Sequence, residues 1–329
     1  MYSIIIPTFN GEKRVGKTIE ALLSQNTDKA FEIIVVNDGS SDRTLELLEE
    51  YNKKDQRVII LDQKNAGPAA ARNNGAKHAQ GDIILFTDDD CIPEPDWFEH
   101  MIRPFDDKEI AGAKGTYLCA QKEDVAKFVQ IEYEFKYEKL KRHNTIDTID
   151  TYSAAFRKDI FLELGGYDET FPVACAEDFE FSYRMSGKGH KMVFVPEAKV
   201  WHHHPDTLKW YLQKKYKFAY WRWLAIKKNP GKLKNDTHTP NTMKYNALNA
   251  PILLLSFFFS LFSDKWTKYF LMSLGVFAFL SKDFYFFILR KKTELKTKAP
   301  IYIFGRAVAQ FLGILRGFLD IFIFNKYKC

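Results

Sequence analysis

Short β-branched runs alternate with helix-forming stretches through residues 1–90, and this alternation limits the chain to few folds. Ser3–Ile6, Glu32–Val36, Val58–Leu61 and Asp82–Phe86 read as strands, with Arg14–Ser24, Arg43–Asn52 and Pro68–Ala79 as the helices between them. Strands joined by helical crossovers pair in parallel, so the pattern predicts an α/β, Rossmann-like domain: a mostly parallel central sheet flanked by helices. Pro68 suits a first helical turn, and Asp38-Gly39 and Gly81-Asp82 mark turns. Further on, 123–142 reads as a longer helix and Phe161–Leu164 and Asp178–Ser186 as shorter ones. Lys191–Val195 and Lys199–Trp201 read as strands. Hydrophobic and charged contents of 46% and 27% exclude a disordered or collagenous chain. The four cysteines, Cys91, Cys119, Cys175 and Cys329, form no CxxC pair, which argues against a zinc knuckle or a disulfide framework. Ser3–Ile6 meets Pro7 too soon for the apolar region of a secretory signal, and none is expected.

In open α/β sheets ligands bind beyond the carboxyl ends of the strands. Polar and acidic residues gather there: Pro7-Thr8-Phe9-Asn10 after the first strand, Asn37 to Asp42 after the second, Thr87-Asp88-Asp89-Asp90 after the fourth. Three consecutive carboxylates repel one another unless a cation offsets them, and hard oxygen donors suit Mg²⁺ or Mn²⁺. A solvated acidic turn is the plain alternative. Asp38 can accept a hydrogen bond from a nucleobase, or belong to an ordinary turn. Asn65-Ala66-Gly67-Pro68 leads into a helix carrying Arg72, a place that can receive a diphosphate or be plain helix punctuation. Glu177 and Asp178 open another helix, where acids complement the dipole or supply a general base. His202-His203-His204 is either a surface run or a source of a metal-ligating imidazole. No HExxH, GxSxG or strand-following GxGxxG is present.

The order of these segments carries more than any one of them. Ser3-Ile-Ile-Ile-Pro-Thr-Phe-Asn10, Ile34-Val-Val-Asn-Asp-Gly-Ser-Ser-Asp42, Asn65-Ala-Gly-Pro68, Ala71-Arg-Asn-Asn-Gly75, Gly81-Asp-Ile-Ile-Leu-Phe-Thr-Asp-Asp-Asp90, Gly165-Gly-Tyr-Asp168 and Ala176-Glu-Asp178 together resemble the family 2 glycosyltransferases of the GT-A fold, over residues 2 to about 204. The resemblance extends to membrane-associated transferases of dolichol, undecaprenyl and cell-surface glycan synthesis. It implies that Pro7, Thr8, Asn10, Asp38, Gly67, Arg72, Asp88 and Asp89 bind a nucleotide-sugar, with Asp38 on the base. It implies that Asp90 and His202 hold the divalent cation, Mn²⁺ or Mg²⁺, and that Asp178 is the catalytic base of an inverting transfer. Glu177 and Trp223 fall on the acceptor side.

Charge and phenylalanine divide the chain unevenly. Residues 1–206 carry net −11, residues 207–244 net +9 and residues 245–329 net +8; the last stretch holds 15 of the 29 phenylalanines. The division predicts a catalytic domain over 1–206, a basic amphipathic neck over 207–244 and membrane-associated helices over 245–329. Those helices are a hairpin over 246–289 and a third segment over 301–324 that spans the bilayer or lies in its interface. Such a tail makes membrane lipids, not nucleic acid, the partner of the basic neck. Lysines and arginines on both flanks of the hairpin place both ends, and the catalytic domain, on the cytoplasmic side of the cell membrane.

The expected activity is transfer of one sugar from a nucleotide-sugar, a UDP-sugar by family habit, to a lipid-linked or membrane-proximal acceptor. A processive polysaccharide synthase is a second reading. Against it, the QxxRW motif of such enzymes is represented only by Gln213 and the distant pair Arg222-Trp223. A catalytically silent nucleotide-sugar-binding scaffold is a third.

Overall fold

A computed structural model describes residues 1–171, 175–232, 237 and 239–327. The elements are β1 (Tyr2–Thr8), α1 (Val15–Leu23), β2 (Phe31–Asp38), α2 (Thr44–Lys54), β3 (Val58–Gln63), α3 (Pro68–His78), β4 (Ile83–Phe86), β5 (Cys91–Pro93), α4 (Trp97–Ile102), β6 (Ile110–Leu118), α5 (Asp124–Leu140), β7 (Ala154–Arg157), α6 (Lys158–Glu163), α7 (Glu177–Gly187), β8 (Lys191–His202), α8 (Leu208–Lys228), α9 (Asn241–Ser260), α10 (Asp264–Arg290) and α11 (Ala299–Phe318). They fall into two units, one formed by residues 1–120 and 140–203, the other by 121–139 and 204–329. This division differs from the single boundary expected at 206, because α5, read as part of the catalytic domain, packs with the carboxyl-terminal helices.

The first unit is an α/β, GT-A-like fold on one sheet with strand order β3-β2-β1-β4-β7-β6-β8-β5. The four strands expected from the alternating pattern form its parallel half, where Ile4, Ile5, Ile33 to Val36 and Ile84 to Phe86 are buried on both faces. The other half is mixed, not parallel: β7 runs antiparallel to β4 and β6, and β5 antiparallel to β8. The two strands expected over 191–201 are one strand, β8. Its ladder with β6 breaks between Phe194 and Lys199, around Pro196, which has no N–H to give.

In the second unit, α5, α8, α10 and α11 surround a core that includes Phe128, Tyr211, Phe284, Ile288 and Ile303. The expected third segment is α11 followed by a wider turn over Leu319–Ile323. Its polar and small residues Arg306, Gly313, Gly317 and, in the turn, Asp320 meet α5 and α8. Gly313 and Gly317 lie against the carbonyls of Tyr216 and Tyr220, where an added Cβ would come within 2.3 and 2.7 Å of oxygen. Tyr220 donates to Asp320 Oδ2 at 2.9 Å, and the buried Arg306 pairs with Glu132 of α5, which Lys215 meets at 2.8 Å. Burial would raise the Glu132 carboxyl, but Lys215, Arg306 and Lys136 override it and hold it at about 2.

Backbone contact at Gly313 leaves no room for a side chain. Gly313→Val is therefore expected to destabilise the helical unit by about 1–3 kcal/mol through overpacking. Thermal unfolding of the detergent-solubilised protein checks this, and an unchanged Tm would contradict the close helix contact.

Candidate active site

Strands β1, β2 and β4 are parallel, so their carboxyl ends line one edge of the sheet. Each end supplies a polar turn, and these turns hold one another. Asp38, at the end of β2, is buried and accepts from Gln63 Nε2 and the Ala66 N–H on Oδ1, both at 2.8 Å. The Gly67 N–H reaches its Oδ2 at 2.9 Å. The carboxylate thus fixes the 65–67 loop in which Gly67, at φ +91°, turns into α3. A carboxylate has about four acceptor positions, so these three bonds leave one for a ligand. Asn10 adopts φ +50° and its side chain accepts from the Ser41 N–H at 2.8 Å, tying the β1 turn to the β2 turn. Pro7 lies within β1, opposite Val36.

The three consecutive aspartates point three ways. Asp89 turns inward and accepts from Thr8 Oγ1 at 2.7 Å and Arg14 Nη2 at 2.9 Å. Burial nonetheless pushes its carboxyl up, against the pull of Arg14 and Thr8. Asp88 accepts from Arg72 Nη2 at 2.7 Å. Asp90 lies beside His202, with Oδ2 3.7 Å from Nε2. This proximity follows from pairing of β5 with β8, which sets Cys91 opposite His202. Ligand atoms of Asp88, Asp90 and Cys91 lie within 4.8 Å of one another. Burial and the carboxylates of Asp88 and Asp90 push the Cys91 thiol well up, which disfavours its thiolate, and hard cations prefer the carboxylate oxygens. Two hard oxygen donors with an imidazole alongside fit Mg²⁺ or Mn²⁺.

Arg72 links this turn to the start of α7. Its side chain is only 4% exposed; Nη1 reaches Glu177 Oε1 at 3.2 Å while Nη2 holds Asp88. Glu177 in turn accepts from the Cys175 N–H at 2.6 Å. Asp178, next in sequence, is pushed well up by burial, by Glu177 and by Asp150, against a hydrogen bond from the Phe179 N–H at 2.8 Å. Ala176, just before them, is held at φ +72°, a conformation strained for a side-chain-bearing residue. The 165–168 turn is clamped by Asn73 of α3, which accepts from the Tyr167 N–H and donates to the Tyr167 carbonyl.

Of the expected residues, Pro7, Thr8, Asn10, Asp38, Gly67, Arg72, Asp88, Asp89, Asp90, Glu177, Asp178 and His202 all belong to this unit. Among the three histidines, His202 lies by Asp90, whereas His204 belongs to the helical unit, with Nε2 3.0 Å from Gln130 Oε1. Trp223 also belongs to the helical unit. Its indole N–H donates to the Ile314 carbonyl at 2.9 Å and its ring packs on Phe318 and Phe322. Sequence reasoning missed Arg14, the partner of Asp89. It also missed Tyr117, which lies between Tyr152 and the His202 ring, and the buried Lys114 paired with Asp150. An unbalanced acid cluster one helix away was a signal for Arg14; the others depend on β6, which the sequence pattern does not announce.

An α/β sheet with an acidic turn beyond a central strand, facing a helix that opens on paired acids, places the chain among the GT-A-like glycosyltransferases. Residues 3–165 match the family described as Glycosyl transferase family 2, and the chain belongs to it. Over 231 residues it is 32% identical to the probable glycosyltransferase YdaM of Bacillus subtilis, covering 64% of this chain and 53% of that one. Over 212 residues it is 28% identical to the poly-beta-1,6-N-acetyl-D-glucosamine synthase of Staphylococcus aureus, covering 63% and 50%. The matched region is thus about half the length of these curated relatives. The mannosyltransferase PcManGT from Pyrobaculum calidifontis, solved with GDP-Man and Mn²⁺, shares the fold at TM-score 0.61 and 15% identity, covering 95% of this chain and 86% of its own.

Removing Arg72 would leave Glu177 buried without its cation. Arg72→Met is expected to cost about 3–5 kcal/mol, and adding Glu177→Gln to restore part of that loss. Thermal melts of the single and double variants test this; a double variant no more stable than the single one would refute the pairing.

Proposed function

We propose that the chain transfers a single sugar from a nucleotide-sugar, a UDP-sugar, to a hydroxyl of a lipid-linked or membrane-proximal acceptor, with inversion. The observation that carries the reading is Arg72, which joins the acidic turn to the helix that begins with Glu177 and Asp178. Asp38 has an acceptor position to offer a base N–H. Asp90, with Asp88 and His202 beside it, would hold a divalent cation. When bound, that ion supplies Lewis-acid stabilisation to the departing diphosphate. Asp178 takes the acceptor proton as the hydroxyl attacks the anomeric carbon from the face opposite the leaving group. A carboxyl raised in this way is a stronger base than an ordinary aspartate once ionised. PcManGT was solved with Mn²⁺ and a nucleotide-sugar, which supports this class of donor and ion.

Processive synthesis is the second reading, favoured by the likeness to a poly-beta-1,6-N-acetyl-D-glucosamine synthase. Product length after incubation with excess donor separates them: one added sugar supports single transfer, and a ladder supports polymerisation. Attachment to the cell membrane, with the catalytic unit on the cytoplasmic side, belongs to the same proposal. It rests on the basic flanks of 246–289 and on α10, the one described helix long and apolar enough by itself to cross a bilayer.

Asp178→Asn is expected to lower transfer about 10²–10⁴-fold while donor binding persists. Its Tm at pH 8 should be no lower than that of the parent. The folded-state pKa of Asp178 lies above its unfolded value, so the ionised carboxylate destabilises the fold at pH above both values, and the amide removes that effect. Near-parental transfer would refute the base assignment.

The acid limb of kcat/KM should fall as pH drops through the raised Asp178 value. Glu177→Gln, which removes a neighbouring negative charge, should move that limb to lower pH; a limb unmoved by Glu177→Gln would mean another group titrates. Asp90→Ala should weaken UDP binding only when Mn²⁺ is present. An equal loss in EDTA, measured by calorimetry, would count against a metal-holding role.

A further inference from the structure

The α9–α10 hairpin carries a polar seam among its buried residues, beside Leu253 and Phe277, and a broad apolar face outside. On the buried side, Asn246 donates to Ser281 Oγ at 2.8 Å, Asn249 donates to the Ser273 carbonyl at 3.0 Å, and Ser273 Oγ donates back to Asn249 at 3.0 Å. Asn246, Asn249, Ser256 and Ser273 are all buried. The outward side carries Leu255, Phe258, Phe262, Met272 and Phe279, each more than half exposed. A helix pair assembled in water buries its large apolar residues and leaves amides outside. Amides buried in the helix contact, with so many large apolar residues left outside, are favoured where the surroundings are themselves hydrocarbon and polar side chains find partners only across that contact.

Charge and length agree with that solvent. No charged residue lies between Lys244 and Asp264, nor between Lys268 and Lys282. The first interval is 19 residues, about 28 Å of helix at 1.5 Å per residue, close to the roughly 30 Å of a bilayer core. The second is shorter, and Lys268 and Lys282 have stems long enough to reach outward from its ends. Trp266 and Tyr269 sit at the turn end, and Tyr245 and Tyr285 at the other, as rings do at the two interfaces of a membrane. The asparagines of the seam also explain why α9 falls short of the apolarity that α10 reaches.

We infer that lipid acyl chains cover the outward face of α9 and α10, that the Asn246–Ser281 and Asn249–Ser273 seam locks the two helices within the bilayer, and that the Ser263–Lys265 turn emerges on the side opposite the helix ends. The inference rests on the proposed membrane attachment and adds which helices cross, what holds them together and where their turn lies.

The test uses the full chain expressed in bacteria, with spheroplasts treated with a membrane-impermeant maleimide. The parent protein, whose described cysteines lie outside the hairpin, sets the background. Ser263→Cys is expected to label several-fold above the parent in intact spheroplasts, and Lys265→Cys to do the same if the first substitution perturbs folding. Labelling of both only after permeabilisation would overturn the crossing, as would release of the parent by alkaline carbonate as a soluble oligomer, the result expected if a second copy covers this face. In addition, Phe258→Asp is expected to reduce the membrane-bound fraction several-fold, whereas a water-facing position would tolerate the charge; an unchanged fraction would refute contact with hydrocarbon. Nucleotide-sugar hydrolysis, measured in parallel on detergent-solubilised protein, reports on the transferase reading separately, since that reading can stand when the crossing fails and fall when it holds.

Discussion

A buried arginine must be neutralised, and the active-site edge of the first unit is organised around that requirement. Arg72 sits on α3, a helix whose start is fixed by Asp38 through the 65–67 loop. It reaches Asp88 beyond β4 and Glu177 at the opening of α7. One guanidinium therefore ties three crossover regions together, and its planar fork is suited to holding two carboxylates at fixed separation. Asp178, next to Glu177, is raised first by burial and then by its Glu177 and Asp150 neighbours, and burial raises Glu177 as well.

The division of labour among Asp88, Asp89 and Asp90 follows from the same need for compensation. Three adjacent carboxylates are tolerable because Asp88 and Asp89 already have Arg72 and Arg14 as partners. Asp90 stands beside His202 instead, with Oδ2 3.7 Å from Nε2. Asp89 is then a brace: it connects β1, through Thr8, to α1, through Arg14. The resemblance had set it beside the nucleotide, and its observed contacts hold the turn in place.

The parallel half of the sheet was legible in the sequence because its strands are buried on both faces and must be runs of Ile, Val, Leu and Phe. In the other half only β8 was legible, as two runs over 191–195 and 199–201. Strand β6 reads Ile-Ala-Gly-Ala-Lys-Gly-Thr-Tyr-Leu, with small residues where packing is tight: a Cβ on Gly115 would come within 2.3 Å of the Ala198 carbonyl. Such a strand lacks the β-branched signature that marks the others. β5 has three residues and β7 four, too few for periodicity to register. With β5 unread, the closeness of Asp90 and His202 rested on resemblance alone. Lys114 and Asp150 stayed invisible because their meeting depends on β6.

The carboxyl-terminal helices show why composition announced their surroundings better than their partners. Fifteen phenylalanines in 85 residues signal an apolar environment, but not which face of each helix meets protein. That choice is made by the few residues that cannot be left to hydrocarbon. On α11 and the wider turn after it these are Arg306 and Asp320, which pair with Glu132 on α5 and with Tyr220 on α8. Gly313 and Gly317 then let α8 approach backbone to backbone. On α9 and α10 they are Asn246, Asn249, Ser273 and Ser281, which face one another. In each pair the polar and small residues fix the rotation of the helix, and the aromatic residues occupy whatever surface remains. Helix orientation in this unit is therefore written in its least hydrophobic positions, the reverse of the rule that shapes the sheet.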